Sequence, residues 1–221
     1  PVALDLPGYG AREPVDRMDF AMLAGDVESE IARRDLDRPI LVGHSMGGML
    51  AQTLLRRGPR PYRAAVLSGT SPAFGDQTGE FQKKFVADRL GPLDAGLTMA
   101  ELAPAMVDAI SGPAPDPAGR KLAIETIAAV SERSYRAAVH CLIGFDERAN
   151  LARIGIPVLC LAADYDRLAP SGMMERMALR IPGARYVCLK GVGHLPNVEA
   201  PQAFDAAVLD FLRAALAPVA A

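Results

Sequence analysis

Cysteine and histidine are scarce in this 221-residue chain, which holds three of each. Cys141, Cys160 and Cys188 are odd in number, lie within apolar runs and show no C-x-x-C spacing. They read as buried free thiols of a reducing compartment rather than a disulfide framework, and with so few histidines no metal site is expected. Charge of one sign is lacking as well. Lys and Arg number 24 against 26 Asp and Glu, a net charge of −2, and the basic residues form no run. Neither nucleic acid nor a membrane surface is an expected partner. No apolar stretch is long enough to cross a bilayer, and no signal peptide precedes the first strand-like run, so the expected location is cytoplasmic. An initiator methionine is absent too. "PVALDLPGYG" starts inside an apolar run, so the chain reads as a piece of something longer.

What is present is globular: half of the residues are hydrophobic and 23% are charged, enough for one sizeable core. Short apolar runs at 2–6, 40–42, 64–67, 158–162 and 186–189 read as strands. They alternate with helical periodicity over 18–36, 46–57, 171–181 and 201–216. Unbroken apolar strands between helices imply an α/β fold, a parallel sheet covered on both faces. From 75 to 150 no strand pattern appears. Helical patterns over 79–90, 98–110 and 118–145, with the Pro/Gly-rich "SGPAPDPAG" between them, suggest a helical cap. The expected organisation is a core of 1–74 and 151–221 with a cap of 75–150.

The chemistry gathers at strand ends. "ILVGHSMGG" (40–48) puts Ser45 in a G-x-S-x-G stretch between a strand and a helix, the nucleophile elbow. A side chain at Gly43 or Gly47 is expected to collide where strand and helix pass. The helix starting at Met46 aims its free N–H groups and positive dipole end at the reaction site. A serine nucleophile needs a base and an orienting acid. His194 follows the last strand in a glycine-rich loop, whereas His44 abuts Ser45 and His140 lies in the helical insertion. For the acid, "CLAADYDRLAP" offers Asp164 and Asp166 at a strand end. Asp166, further past the strand and followed by Pro170, is preferred, and Asp76 is a third option. Either aspartate could instead be a helix cap.

Together "DLPGYGAR", "GHSMGG", the Asp166 to Pro170 spacing and "IPGARYVCLKGVGHLPNVEAPQAF" resemble the α/β-hydrolase superfamily over nearly the whole chain. Within it they are most similar to 3-oxoadipate enol-lactonases and related small-ester hydrolases. The resemblance implies a helical cap between the sixth and seventh strands, and it makes Ser45 the nucleophile, Asp166 the acid and His194 the base. It makes the Met46 N–H one oxyanion donor. The second donor, on an H-G-type loop, would lie upstream of Pro1 with the family's first strands. The implied function is cofactor-free serine hydrolysis of a small-molecule carboxylic ester or lactone. Carbon–carbon bond hydrolysis, perhydrolase chemistry and a non-catalytic ligand-binding homologue are the alternatives. An acidic lactone would want a cation. Arg133, Arg136 and His140 share a helical region of the cap and are the candidates, although a solvated charged face would look the same. An open sheet edge near residues 2–6 is expected to let copies pair as a homo-oligomer.

Overall fold

Four short strands owe their form to β-branched and aliphatic runs bounded by turn residues. They are β1 (Leu41–His44), β2 (Ala65–Ser68), β3 (Val158–Ala163) and β4 (Arg185–Leu189), and they pair in parallel in that order. Leu41 stands beside Ala65, Val66 beside Leu159 and Cys160 beside Tyr186. The computed structural model describes residues 1–58, 62–75 and 79–217. The chain forms two compact units.

The sheet lies in the unit made of Asp37–Pro72, Ile110–Arg120 and Glu147–Ala221. Its helices are α2 (Met46–Arg57), α7 (Ser171–Ala178), α8 (Pro196–Glu199) and α9 (Pro201–Leu216). Successive strand residues point to opposite faces, and each face has its own cover. Ala65, Leu67, Val158, Cys160 and Ala162 pack with Ala51 of α2 and with Met174, Met177 and Ala178 of α7. Val66, Leu159 and Leu161 pack with Phe204, Val208, Phe211 and Leu212 of α9. Because both faces are covered, β2 and β3 are buried at every position, which is why their sequences do not alternate. β1 is an outer strand of the described sheet, and its Val42 is 57% exposed.

The second unit is helical, made of Pro1–Leu36, Ala73–Ala109 and Lys121–Asp146. It holds α1 (Phe20–Arg33), α3 (Glu80–Asp94) and α6 (Glu132–Leu142). It also holds nearly all of α4 (Met99–Ile110) and the later part of α5 (Pro117–Ala128). Asp19 caps α1 by accepting from the Met22 N–H at 2.8 Å, and Arg12 clasps Asp26 on the same helix through two 2.7 Å contacts. Leu90, Leu93, Met99 and Val139 form a small core with Phe85, Val86, Met106 and Tyr135.

Two expectations about elements fail. Residues 2–6 form no strand: a strand needs a ladder partner, and none of the described strands pairs with them. The helix expected over 118–145 is two: the first ends at Ala128, and Ser131 caps the second, its side chain accepting from the Ser134 N–H. No helix among the described residues is long and apolar enough to cross a membrane.

Candidate active site

The end of β1 turns sharply into α2 at Ser45, whose φ of 50° and ψ of −118° are strained for a residue with a side chain. The Ser45 N–H donates to Ser68 O at 2.9 Å, and its carbonyl accepts from Gly48 N at 2.9 Å. Space at this turn is tightest at Gly43, where a Cβ would overlap the backbone carbonyl of Gly47. The expectation that Gly47 is equally crowded fails: a Cβ there meets nothing among the described residues. The crowded neighbour is Gly48, where a Cβ would lie 2.6 Å from Thr70 Cβ. The first N–H of α2, at Met46, has no acceptor among the described residues. The dipole of the twelve-residue helix α2 places partial positive charge at that end.

His194 follows β4. Its Nε2 lies 2.9 Å from Ser45 Oγ and its Nδ1 2.8 Å from Asp166 Oδ2. An ionised carboxylate only accepts, so Nδ1 carries the proton and donates to Asp166. In the neutral ring Nε2 is then free to accept from the Ser45 hydroxyl. His194 is 4% and Asp166 5% exposed, so water competes little for either bond. Burial pushes the Asp166 carboxyl up. The hydrogen bond and charge of His194, with N–H donors from Ala169 and Leu168, outweigh that and hold it below the usual carboxylate range. Both N–H groups reach Asp166 Oδ1 at 2.8 Å.

The two neighbouring aspartates have separate tasks. Asp164 Oδ1 accepts from Gly191 N at 2.7 Å and from Val192 N at 3.4 Å, tying β3 to the loop that carries His194. Asp166 alone reaches the imidazole. Asp76 lies outside the described residues.

His44, one residue before Ser45, has its ring centroid 4.9 Å from that of His194. Its Nδ1 is 3.4 Å from Ser68 Oγ, and its Nε2 is enclosed without a partner. Burial first, and the neighbouring His194 second, push its pKa down to about 3. It stays uncharged beside the Ser45–His194 pair.

The cationic candidates lie in the helical unit. Arg133 holds Asp16 through contacts of 2.8 and 2.6 Å, and Arg136 pairs with Asp94 at 2.7 Å and Glu132 at 2.8 Å. His140 is exposed on the same helix. Two of the cysteines compete poorly with a serine: burial pushes the Cys141 and Cys160 thiols up to about 12. A separate cavity of about 320 Å³ in the sheet unit is lined by Gln52, Arg56, Glu147, Asn150 and Arg153, and it includes none of Ser45, Asp166 and His194. The sequence reading passed over Glu199, a carboxylate only 6% exposed. The one signal for it was an acid standing in the short run between His194 and Pro201.

Known proteins resemble this chain in sequence and in fold. The pimeloyl-acyl-carrier protein methyl ester esterase of Neisseria meningitidis serogroup B is 27% identical over 232 residues, spanning 97% of this chain and 83% of that protein. A hydrolase from Pseudomonas aeruginosa superposes with a TM-score of 0.81 at 29% identity, covering 94% of this chain and 77% of that one. An enol-lactonase from Burkholderia xenovorans superposes with a TM-score of 0.82 at 24% identity, covering 94% and 78%; at that identity the likeness is one of fold. The model of the alpha/beta hydrolase family matches residues 1–207. The chain belongs to the α/β-hydrolase family and is an enzyme of that fold.

Proposed function

We propose that the chain hydrolyses carboxylic esters, lactones among them, through an acyl-enzyme on Ser45. The observation that carries this reading is the unbroken hydrogen-bonded line Ser45 Oγ, His194 Nε2, His194 Nδ1, Asp166 Oδ2. It links a hydroxyl on a strained turn to a base and a buried carboxylate. The relative from Neisseria is named for ester hydrolysis, which supports the reaction class and leaves the acyl group open.

In this mechanism Ser45 Oγ attacks the carbonyl carbon while its proton passes to His194 Nε2. Asp166 steadies the imidazolium that forms and holds the tautomer that leaves Nε2 as acceptor. The negative charge that develops on the carbonyl oxygen falls near the Met46 N–H and the start of α2, where the N–H has no competing acceptor among the described residues. His194 then protonates the departing alkoxide, leaving the acyl group on Ser45. Water attacks the acyl carbon, gives a proton to His194, and the acid leaves as the proton returns to Ser45. No group outside the chain and water enters the balance. The neutral His44 keeps a second positive charge away from the imidazolium.

A fluorophosphonate probe, with mass spectrometry to find the labelled residue, tests the reading beside turnover of p-nitrophenyl acetate. Label on Ser45, and loss of both label and turnover in Ser45→Ala, are expected. Turnover without label on Ser45, or label without turnover of any ester or lactone, overturns it; the latter would favour a non-catalytic ligand trap.

A further inference from the structure

Residues 191–195, which carry His194, contain neither helix nor strand, yet every backbone N–H in the stretch has an acceptor outside it. Gly191 and Val192 donate to Asp164 Oδ1. Gly193 donates to Glu199 Oε2 at 2.9 Å, His194 to Ile110 O at 2.7 Å and Leu195 to Glu199 Oε1 at 2.8 Å. Glu199 Oε2 also accepts from Gly112 N at 2.7 Å. A single buried carboxylate thus holds the residues on both sides of His194 and joins them to the 110–120 segment. Among the described residues no cation pairs with it. A buried charge without a counter-ion is costly unless hydrogen-bonded, and here three N–H donors supply the whole compensation. There is no slack beside it. A Cβ on Gly193 would lie 2.5 Å from Ile110 O, and one on Gly112 2.8 Å from Gly191 O. Asp116 N adds a 3.0 Å bond to the Glu199 carbonyl.

We propose that Glu199 is a positioning residue for His194. By capturing the N–H groups of Gly193 and Leu195 while bound to Gly112, it holds the histidine backbone where Nε2 meets the Ser45 hydroxyl. The proposal rests on His194 acting as the base, as argued above. The effect belongs in the proton-transfer step: an imidazole displaced by a fraction of an ångström still lets an ester bind, but takes the serine proton less often.

Glu199→Ala removes both acceptor oxygens and with them all three hydrogen bonds. Glu199→Gln keeps one oxygen for Gly112 and Gly193 and sets an amide against Leu195 N–H. Both are compared with the wild-type chain in p-nitrophenyl acetate turnover, the rate of Ser45 labelling by fluorophosphonate, Tm, and amide hydrogen exchange at Gly193 and Leu195. The expected result for Glu199→Ala is a fall in kcat of about 10- to 100-fold with KM within about twofold. The labelling rate should fall in step. Glu199→Gln should recover part of the loss, and exchange at Leu195 should quicken in both. Wild-type kcat in folded Glu199→Ala overturns the proposal; where the alanine variant does not fold, wild-type kcat and exchange in Glu199→Gln overturn it. So does a change in Tm or KM with kcat and labelling rate unmoved. Failure of the ester-hydrolase reading is distinct: it would show as a wild-type chain that neither labels at Ser45 nor turns over.

Discussion

The turn at Ser45 and the loop at His194 both follow parallel strands, yet they are held by opposite means. At Ser45 the backbone is forced by close packing. Gly43 lies against the Gly47 backbone, Gly48 against Thr70, and the serine sits at a positive φ of 50°. At 191–195 the backbone is held by polar ties from three separate stretches, Asp164, Ile110 and Glu199. The first device is rigid and intolerant of added atoms; the second can be weakened one bond at a time. A strained nucleophile needs steric enforcement, since each strained backbone position costs on the order of 1–3 kcal/mol. A base that picks up and returns protons needs accurate direction, which hydrogen bonds supply.

Breaking either partner at its reacting atom should have the largest effect. Ser45→Ala is expected to lower kcat by about 10⁴-fold or more with Tm nearly unchanged; steady-state turnover beside a thermal melt checks this. Asp166→Asn should cost about 10³- to 10⁴-fold, because the amide no longer enforces the tautomer that leaves Nε2 as acceptor. KM near the wild-type value would place that loss in the chemical step.

The contrast between packing and polar ties is sharpened by Gly43→Ala against Asp164→Ala. The added methyl meets backbone on α2 that cannot move aside, so a loss of stability on the order of 3 kcal/mol and little soluble enzyme are expected. Asp164→Ala removes the ties to Gly191 and Val192 and a 3.9 Å ion pair with the exposed Lys190, so the fold should survive with a modest drop in kcat. Equal Tm values for the two variants would contradict the distinction.

His44 gives a smaller, pH-dependent test. Burial beside His194 lowers its pKa from 6.5 to about 3. Between those values the unfolded chain takes up a proton at this residue that the folded chain refuses, so stability falls as pH falls through that window. His44→Asn should flatten the decline of Tm between about pH 6.5 and pH 4. Asp166 acts in the same direction: its carboxyl is held below the usual range, so the stability it adds is lost as pH drops from the ordinary carboxylate value through the folded one.

The smallest effect is expected outside both regions. Arg133 is already committed to Asp16, and Arg136 to Asp94 and Glu132. Arg133→Ala should leave the ratio of kcat/KM for acidic over neutral esters unchanged. A selective loss for acidic esters would return the arginine to the list of substrate contacts.

The contrast also explains what could be read in advance. Strand, turn and helix around Ser45 are contiguous, so "GHSMGG" announces its own geometry: close approach at Gly43 is a local steric necessity. The covered sheet was legible too, since burial on both faces demands apolar residues at every position of β2 and β3. Residues 2–6 misled because their apolar composition matched a strand, while strand structure depends on a neighbour. Gly47 misled because motif spacing does not say which glycine faces Thr70.

Local pattern therefore determined the serine at the sharp turn, the alternation of strands and helices, and the histidine at a strand end. Those depend on interactions between residues close in the chain or on burial alone. Tertiary structure decided between Asp164 and Asp166, two residues apart at one strand end. The direction in which each carboxylate points depends on where β4 and its loop lie beside β3. It also decided that Glu199 and the Ile110 carbonyl hold the His194 loop, contacts that bring 110–112 against 191–199. Hydrogen bonds of that kind are set by distance and angle after the chain has closed on itself, and no spacing along the sequence encodes them.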